Sequence, residues 1–481
     1  MAYTHSTTAL LVASAMALTA CGGSDSTSAN NSSSNTDTAF TVYEFDNKYG
    51  EGSSVSYSGQ TTRHVLISEL TDYIGNRLQT EAEDGTLTSE ADVLEALNQY
   101  FQMSADDYEL VADSFSISPV ANSAQTTLRE LSSTPKNLLE KMAGNDATGQ
   151  HKDWNNGEFS GWGDEGSTTP TLLLESFFEL LAANASAVID GQNRQDAEGN
   201  DLPVYVTESG LDLKQLIQKF LLMSVAYSQS ADDYLDFDTE GKGLLTTNDV
   251  NVTDKPYTNL EHQFDEGFGY FGAARDYLAY TDEEIAGSGG RAEWSEGYYD
   301  TNSDSSIDLF SEMNFGQSVN AAKRDLGATV TTDYTAQAME AFLAGRALIA
   351  TTDGALSEAA MTELQDYALE ALDAWERAIA ATVVHYINDT TADLNAFGTD
   401  EFDFINLAKH WGEMKGFGLG LQYNRHSPLD DDDFAELHRL IGDAPIFSDS
   451  VAITAYLADL AAARDLLEQA YQFNSDNVAN W

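Results

Sequence analysis

Residues 356–387 carry the sequence LSEAAMTELQDYALEALDAWERAIAATVVHYI, which contains neither proline nor glycine. Apolar residues recur in it every three or four positions, the spacing of one face of an α-helix. At 1.5 Å per residue, a helix of roughly 30 residues is long enough to cross a whole domain. This stretch therefore predicts a long helix that spans the molecule.

Helical periodicity continues on both sides of this stretch, and none of the seven prolines interrupts it. Further helices are predicted at 62–81, 88–101, 135–142, 172–189, 211–234, 258–280, 334–351, 402–423, 434–441 and 451–473. No strand-rich block is present. The sequence predicts an all-α fold, with residues 40–481 forming a large helical bundle or two fused bundles (about 40–330 and 331–481) related by a pseudo-twofold repeat.

The 481-residue chain has 79 acidic and 23 basic side chains, a formal net charge of −56, and 42% hydrophobic residues. The hydrophobic fraction is that of a globular protein with a sizeable core. So negative a field repels phosphate backbones, which excludes nucleic acid as a partner, and it also repels anionic lipid surfaces. Either a solvated surface without a specific partner or a surface that gathers cations fits this charge.

The N-terminal segment predicts the cellular location. Residues 9–20 are a short apolar run followed by Cys21, the only cysteine. The run is too short to span a bilayer and has the length of a signal-peptide core. Residues 18–21, LTAC, resemble a bacterial lipobox, and Gly22 in place of aspartate implies the outer membrane. We expect a signal peptide (1–20), lipidation at Cys21, a flexible tether (21–39), and an outer-membrane lipoprotein of the cell envelope, periplasmic or surface-exposed.

One candidate metal motif lies in residues 261–270, EHQFDEGFGY. His262 and Glu266 are four residues apart, so they share a helical face, and Asp265 lies beside them. An imidazole and a carboxylate one turn apart can reach the same divalent ion.

A second candidate motif lies in residues 409–420, KHWGEMKGFGLG. His410 and Glu413 are three residues apart on one helical face. Gly412, Gly416 and Gly420 recur every fourth residue, at a cost of roughly 1 kcal/mol each relative to alanine. Such a ridge of missing side chains predicts very close packing against another helix or a functional requirement.

The two motifs resemble each other, since each has a histidine, a nearby glutamate and then Gly-Phe-Gly. A degenerate duplication would let His262, Glu266, His410 and Glu413 converge on one buried divalent ion, iron or zinc, as in metal-binding helical bundles. His385 is a further candidate ligand at a helix end. The alternative is that each histidine is a structural residue held by a neighbouring acid.

Residues 300–308, DTNSDSSID, partly match the calcium loop of an EF-hand. Serine replaces the glycine expected at position six, and the acid expected at position twelve comes one residue late. The candidate calcium ligands are Asp300, Asn302, Asp304, Ser306, Asp308 and Glu312. The alternative is a solvated acidic loop.

The loop 146–170 is long and polar, and it contains Trp154 and Trp162. Its tryptophans either stack on a glycan or fix the loop to the bundle. No zinc-protease motif, nucleophile elbow, phosphate loop or dinucleotide fingerprint is present, and thiolate chemistry is excluded from the mature core.

Four segments carry a resemblance to a known family: SVSYSGQTTR (54–63), EHQFDEGFGYFG (261–272), AFLAGRALI (341–349) and KHWGEMKGFGLGLQ (409–422). Over roughly residues 40–481 the chain resembles a family of uncharacterised bacterial surface lipoproteins known only as a domain of unknown function. It is more distantly similar to the imelysin-like proteins, whose signature is Gly-x-His-x-x-Glu. His410 and Glu413 match that signature, while Ala408 replaces its glycine. This likeness implies an all-α envelope protein linked to iron uptake.

The leading hypothesis is a lipid-anchored envelope protein that binds a divalent metal and carries a structural calcium ion. The alternative is a non-catalytic scaffold that contacts a glycan or another envelope protein. A metal-dependent hydrolase comes third, because no motif for a metal-bound nucleophile is evident. The oligomeric state is not indicated by the sequence.

Overall fold

The computed structural model describes residues 40–146 and 149–481. Residues Phe40–Trp481 form one compact unit. The predicted signal peptide (1–20), Cys21 and the tether up to residue 39 lie outside the described residues.

The described chain is helical, and the prediction of an all-α fold is confirmed because it contains only isolated β-bridges and no strand. The α-helices of the N-terminal part are α1 (Ser58–Asp72), α2 (Leu78–Glu83), α3 (Glu90–Phe101), α4 (Ala105–Val111), α5 (Leu128–Leu131), α6 (Pro170–Ile189), α7 (Leu213–Leu221), α8 (Asn259–Phe271) and α9 (Asp282–Ile285). Those that follow are α10 (Gly316–Gly327), α11 (Tyr334–Thr351), α12 (Glu358–Ala396), α13 (Phe404–Gly418), α14 (Asp431–Ile441), α15 (Ser450–Tyr471) and α16 (Ser475–Val478). The π-helical segments are Tyr73–Arg77, Leu222–Tyr227 and Ser230–Tyr234, and the 3-10 turns are Leu139–Lys141, Gly243–Leu245, Tyr277–Ala279 and Leu419–Gln422.

The long helix α12 organises the second half of the chain. Its 39 residues span about 58 Å at 1.5 Å per residue. It packs against α10, α11, α13 and α15, while α13 also packs against α7. Trp375 and Ile379, near its middle, are fully buried. The N-terminal helices join the same hydrophobic core through α7, which contacts both α1 and α6.

Several helix boundaries differ from the prediction for local reasons. The helix predicted at 258–280 ends at Phe271, because Gly272 adopts a left-handed conformation (φ +83°) that terminates α8. The helix predicted at 135–142 is only a 3-10 turn. The helix predicted to end at 387 continues to Ala396. Helix α10 is not predicted because small and polar side chains, such as Ser318 and Asn320, make up much of its buried face.

The glycine ridge, which runs along α13 into the 3-10 turn Leu419–Gln422, allows close packing against neighbouring helices. A Cβ atom on Gly416 would lie 2.7 Å from the Cβ of Lys219, and one on Gly420 would lie 2.3 Å from the Cε of Met223. Those distances are far below van der Waals contact, so a side chain at either position would force the helices apart. The ridge therefore lets this segment approach α7 and the π-helical segment Leu222–Tyr227 that follows it.

Helix α6 is, by length and composition alone, apolar enough to cross a membrane, and it is the one such helix in the described part of the chain. Its residues Leu173, Phe177 and Leu181 are buried in the protein core. The helix packs against α2, α3 and α7.

A fully buried ion network joins the segment that precedes α1 (residues 40–57) to α8 and α11. The guanidinium of Arg346 donates from Nε to Asp265 Oδ1 (2.8 Å) and from Nη1 to Glu261 Oε1 (3.3 Å). Its Nη2 donates to Ser54 Oγ (2.6 Å), and the hydroxyl of Tyr43 donates to Asp265 Oδ1 (2.9 Å). The Arg346, Asp265 and Glu261 side chains have no solvent exposure. Removing one member would leave buried charge without compensation.

We expect Arg346→Met to lower the free energy of unfolding by about 3–5 kcal/mol, because it leaves the buried carboxylate of Asp265 without a cation and that of Glu261 with only the Lys48 ammonium, 3.9 Å away. Denaturant unfolding followed by circular dichroism measures the change. Arg77→Met is the matched control, since Arg77 is 55% exposed and forms a single i,i+4 pair with Glu81, worth about 0–1 kcal/mol. Equal losses of stability in the two variants would contradict the conclusion that the buried Arg346 network stabilises the fold.

Candidate functional site

The extension of α12 beyond the predicted end places three polar residues on one helical face. His385, Asp389 and Asp393 lie four and eight residues apart within α12. The sequence prediction stopped the helix at 387, so it missed both aspartates. The i, i+4, i+8 spacing from His385 is the signal that identifies them.

Helix α13 packs on α12 and brings His410 against this face. Asp389 Oδ2 lies 3.4 Å from His385 Nε2 and 3.9 Å from His410 Nε2. His410 Nδ1 lies 2.8 Å from Asp393 Oδ2. Two imidazoles thus face one carboxylate oxygen, and we call His385, Asp389, Asp393 and His410 the histidine cluster.

Asp393 sets the orientation of the His410 ring. A carboxylate can only accept a hydrogen bond at this distance, so His410 Nδ1 carries the proton that it donates to Asp393. In the neutral ring, Nε2 then has a free lone pair on the side of Asp389. This is the arrangement by which an outer carboxylate prepares a histidine for metal binding.

The two histidines have opposite electrostatic environments. Burial lowers the pKa of His385, and the charge of Arg324 lowers it further. Burial also acts to lower the pKa of His410, but the hydrogen bond to Asp393 and the charges of Asp393 and Asp389 outweigh it and raise that pKa. His385 is therefore the more readily available neutral ligand.

The spacing within the cluster is close to that of ligands around one ion. Ligand atoms about 2.1 Å from a tetrahedral ion are separated by about 3.4 Å. The His385–Asp389 distance matches this value, and the His410–Asp389 distance exceeds it by about half an ångström. No group of three His, Cys, Asp or Glu residues in 40–146 and 149–481 is already arranged as a metal site. Binding would require the side chains of the cluster to move closer together.

The predicted pair His262 and Glu266 lies elsewhere, on α8. His262 Nδ1 donates to the carbonyl of Ser56 (3.0 Å), and its Nε2 lies 3.9 Å from Glu266 Oε2. The His262 ring stacks on Tyr257 with centroids 4.3 Å apart. Glu266 also accepts a hydrogen bond from Gln60 (2.8 Å).

The second predicted pair is separated within α13. Glu413 Oε1 lies 3.3 Å from Lys219 Nζ, whereas His410 contacts Asp393. In the described structure no hydrogen bond or ion pair joins His262 or Glu266 to either of them. The four residues therefore do not assemble into the one pocket that the sequence predicts. The reason is that α8 packs on α1 and α11, whereas α13 packs on α7 and α12.

The predicted calcium loop is closed by its own hydrogen bonds. Asp300 accepts from the amides of Asp304 (3.1 Å) and Ser305 (2.8 Å). Ser303 and Ser305, at positions four and six, have positive φ values of 61° and 73°. The buried carboxylate of Glu312 accepts from the amides of residues 301, 302 and 308. Glu312 therefore holds the loop closed in this conformation. Asn302, Ser306 and Asp308 lie in the same loop.

The tryptophans of the loop 146–170 are packed onto the protein. Trp154 is fully buried and meets Tyr423 edge to face, with centroids 5.1 Å apart. Trp162 meets Phe177 edge to face at 5.1 Å, and the Lys415 ammonium lies over its ring. Trp154 therefore has no free face on which a sugar could stack. Of the two roles predicted for the tryptophans, Trp154 has the structural one, which is to fix the loop to the bundle.

Replacing Asp393 by asparagine should lower the pKa of His410, because it removes a charge that stabilises the protonated ring. An NMR titration of His410 in chelator-treated protein measures the shift. Since the folded-state pKa is raised above 6.5, this stabilisation is present below pH 6.5 and lost as pH rises through the folded value. The difference in free energy of unfolding between wild type and Asp393→Asn should therefore shrink as the pH rises from 6.5 through the folded-state pKa of His410.

The control for this prediction is Asp400→Asn, which changes an exposed aspartate just beyond α12. It should leave the pKa of His410 unchanged. An unchanged pKa in Asp393→Asn itself would contradict the orientation that we assign to the His410 ring.

Comparison with known proteins gives one match. A family described as "Domain of unknown function (DUF4856)" matches residues 41–436. No curated protein and no solved structure matches the chain. The match covers most of the helical unit, including α1 to α13. The chain therefore belongs to the family of the domain of unknown function DUF4856.

Proposed function

We propose that this chain is a cell-envelope protein that binds a divalent metal ion, with His385, Asp389 and His410 as ligands and Asp393 orienting His410. The observation that carries the proposal is the approach of two imidazole Nε2 atoms to the same oxygen of Asp389. It keeps two of the metal ligands predicted from the sequence, His385 and His410. It replaces His262, Glu266 and Glu413 with the carboxylates of α12.

The donor set indicates the class of ion. Two imidazoles and one carboxylate suit zinc or iron(II), whereas calcium and magnesium prefer oxygen ligands alone. The His385, Asp389 and His410 side chains are 19–35% exposed, so an ion can reach them from solvent. The net charge of −56 also favours cations near the surface. The nearby charge of Arg324 opposes binding, so we expect moderate affinity.

The proposal predicts that chelator-treated protein binds one zinc or iron(II) ion. Calorimetric titration should show that His410→Gln and Asp389→Asn each weaken binding by at least tenfold to a hundredfold, since each removes a ligand. Circular dichroism establishes that the variants are folded.

The matched control is His262→Gln, which removes the other histidine predicted as a ligand and should leave the metal affinity within about twofold of wild type. Two results would reject the site. One is a wild-type protein that binds no ion, and the other is an equal loss of affinity in all three variants.

The envelope location is part of the same proposal. It is supported by the apolar run at residues 9–20 and the lone Cys21 in a lipobox-like segment. Lipidation of that cysteine would hold the helical unit at the outer membrane through a polar tether. The histidine of the imelysin-like signature, His410, is one of the proposed ligands, and this supports a link to metal uptake. Binding of a partner protein or a glycan is the alternative if no metal binds.

A structural calcium ion in the loop 300–312 is the second element of the proposal. The positive φ value at Ser305 supports it, because an EF-hand loop turns sharply at the corresponding position six. The side chains of Asp300, Asn302 and Asp304 would bind the ion, together with Ser306 and Asp308. Glu312 is engaged with backbone amides, so we expect weak binding.

Millimolar calcium should raise the melting temperature of the wild type by roughly 1–3 °C. Asp304→Asn should abolish this gain because it removes a charged ligand. Glu293→Gln is the control, since it changes an exposed acid just before the loop and should retain the gain. A wild-type protein that does not respond to calcium would refute this element of the proposal.

A further inference from the structure

A cleft of about 810 Å³ opens beside the start of α1, the start of α8 and the π-helical segment Ser230–Tyr234. None of the four residues of the histidine cluster lines it. Most of its wall is polar. Its lining includes Ser133, Thr134 and Gln263. We call it the cationic cleft because most of its charged side chains are basic.

The charge of the cleft is opposite to that of the protein. Its wall includes five basic residues and three acidic ones, although the chain as a whole has 23 basic and 79 acidic residues. The basic residues are Arg63, Lys136, Lys141, Lys242 and Lys255, and the acidic residues are Asp146, Asp233 and Glu266. A locally positive cavity in so acidic a molecule concentrates small anions at this one place.

The acidic residues of the cleft already have partners. Asp146 pairs with Lys141 (3.0 Å), Asp233 pairs with Lys242 (2.8 Å), and Glu266 accepts from Gln60. In the part of the chain that the structure describes, this leaves the other three basic residues without a carboxylate partner. Those residues are Arg63, Lys136 and Lys255. Lys255 is exposed to solvent, so Arg63 and Lys136 are the two whose charges are available to a ligand inside the cleft.

Two of these charges flank the first turn of α1. A Cβ atom on Gly59 would lie 3.5 Å from both Lys136 Cε and Arg63 Nη1. Arg63 is only 5% exposed, and its Nε donates to the carbonyl of Asn137 (2.9 Å), which fixes the guanidinium in place. Helix α1 has no side-chain cap and no acidic residue in its first turn. Its positive end therefore remains uncompensated.

A tyrosine hydroxyl in the same wall also lacks a protein partner. Tyr234 lines the cleft and is 3% exposed, and no side chain or backbone group in the described residues forms a hydrogen bond with its hydroxyl. Burial raises its pKa, so the hydroxyl remains a proton donor. Burial also lowers the pKa of Lys136, a penalty that an adjacent anion would reduce. Both groups therefore have a donor that an anion in the cleft could use.

We propose that the cationic cleft binds the oxyanion group of a small hydrophilic solute, held by Lys136, Arg63 and the first turn of α1. The hydroxyl and amide side chains of the wall, together with the stacked rings of Tyr257 and His262, would contact the rest of the solute. Polyanions are excluded as ligands because the rest of the surface repels them. This site shares no residue with the metal site, so either can fail independently.

The test is calorimetric titration of the full chain at low ionic strength with inorganic phosphate, sulfate and glucuronate as probes. These probes distinguish a phosphate, a sulfate and a carboxylate group. At least one should bind saturably, and added salt should weaken the binding. Lys136→Gln should reduce the affinity at least tenfold. Lys255→Gln, an exposed position on the same wall, should change it by less than about twofold.

Gly59→Asp provides an independent readout, because it would place a carboxylate where the oxyanion is proposed to bind. It should raise the melting temperature and abolish anion binding together. Three outcomes would overturn the proposal. They are no saturable binding of any probe up to about 10 mM, equal losses in the two lysine variants, and a Gly59→Asp protein that is folded and still binds.

Discussion

The N-terminal half of the bundle depends on the buried ion pairs that the guanidinium of Arg346 forms. It bridges Glu261 and Asp265 of α8 and reaches Ser54 in the segment that precedes α1. Because all three charged side chains are fully buried, each must be present for the others to be tolerated. The network therefore fixes α8, α11 and the segment that precedes α1 relative to one another.

This network explains three of the four segments that carry the family resemblance. Segment 54–63 supplies Ser54, segment 261–272 supplies Glu261 and Asp265, and segment 341–349 supplies Arg346. The fourth segment, 409–422, supplies the glycine ridge that packs against α7. The residues most distinctive in the sequence thus have a structural role. The proposed ligand sites lie beside this framework, where α12 meets α13 and where α1 meets α8.

The two proposed sites use charge in opposite ways. The histidine cluster places carboxylates next to imidazoles, which suits a cation in a protein of strongly negative charge. The cationic cleft gathers several of the few basic residues around a helix N-terminus that has no cap. Net charge alone predicts the first kind of site and conceals the second, because an average over the chain carries no information about local clustering. A protein with both sites would bind a cation and an anion independently.

Helical periodicity and the absence of proline from helix interiors were sufficient to predict the all-α fold, since both depend on residues close in sequence. They also located α8 and α13 and the glycine ridge. The grouping of site residues required the folded chain. His262 and His410 share similar motifs but have different neighbours, because α8 and α13 pack on different helices. Asp389 and Asp393 became partners of His410 only through the contact of α12 with α13. Such pairings depend on which helices pack together, and local sequence patterns do not encode that.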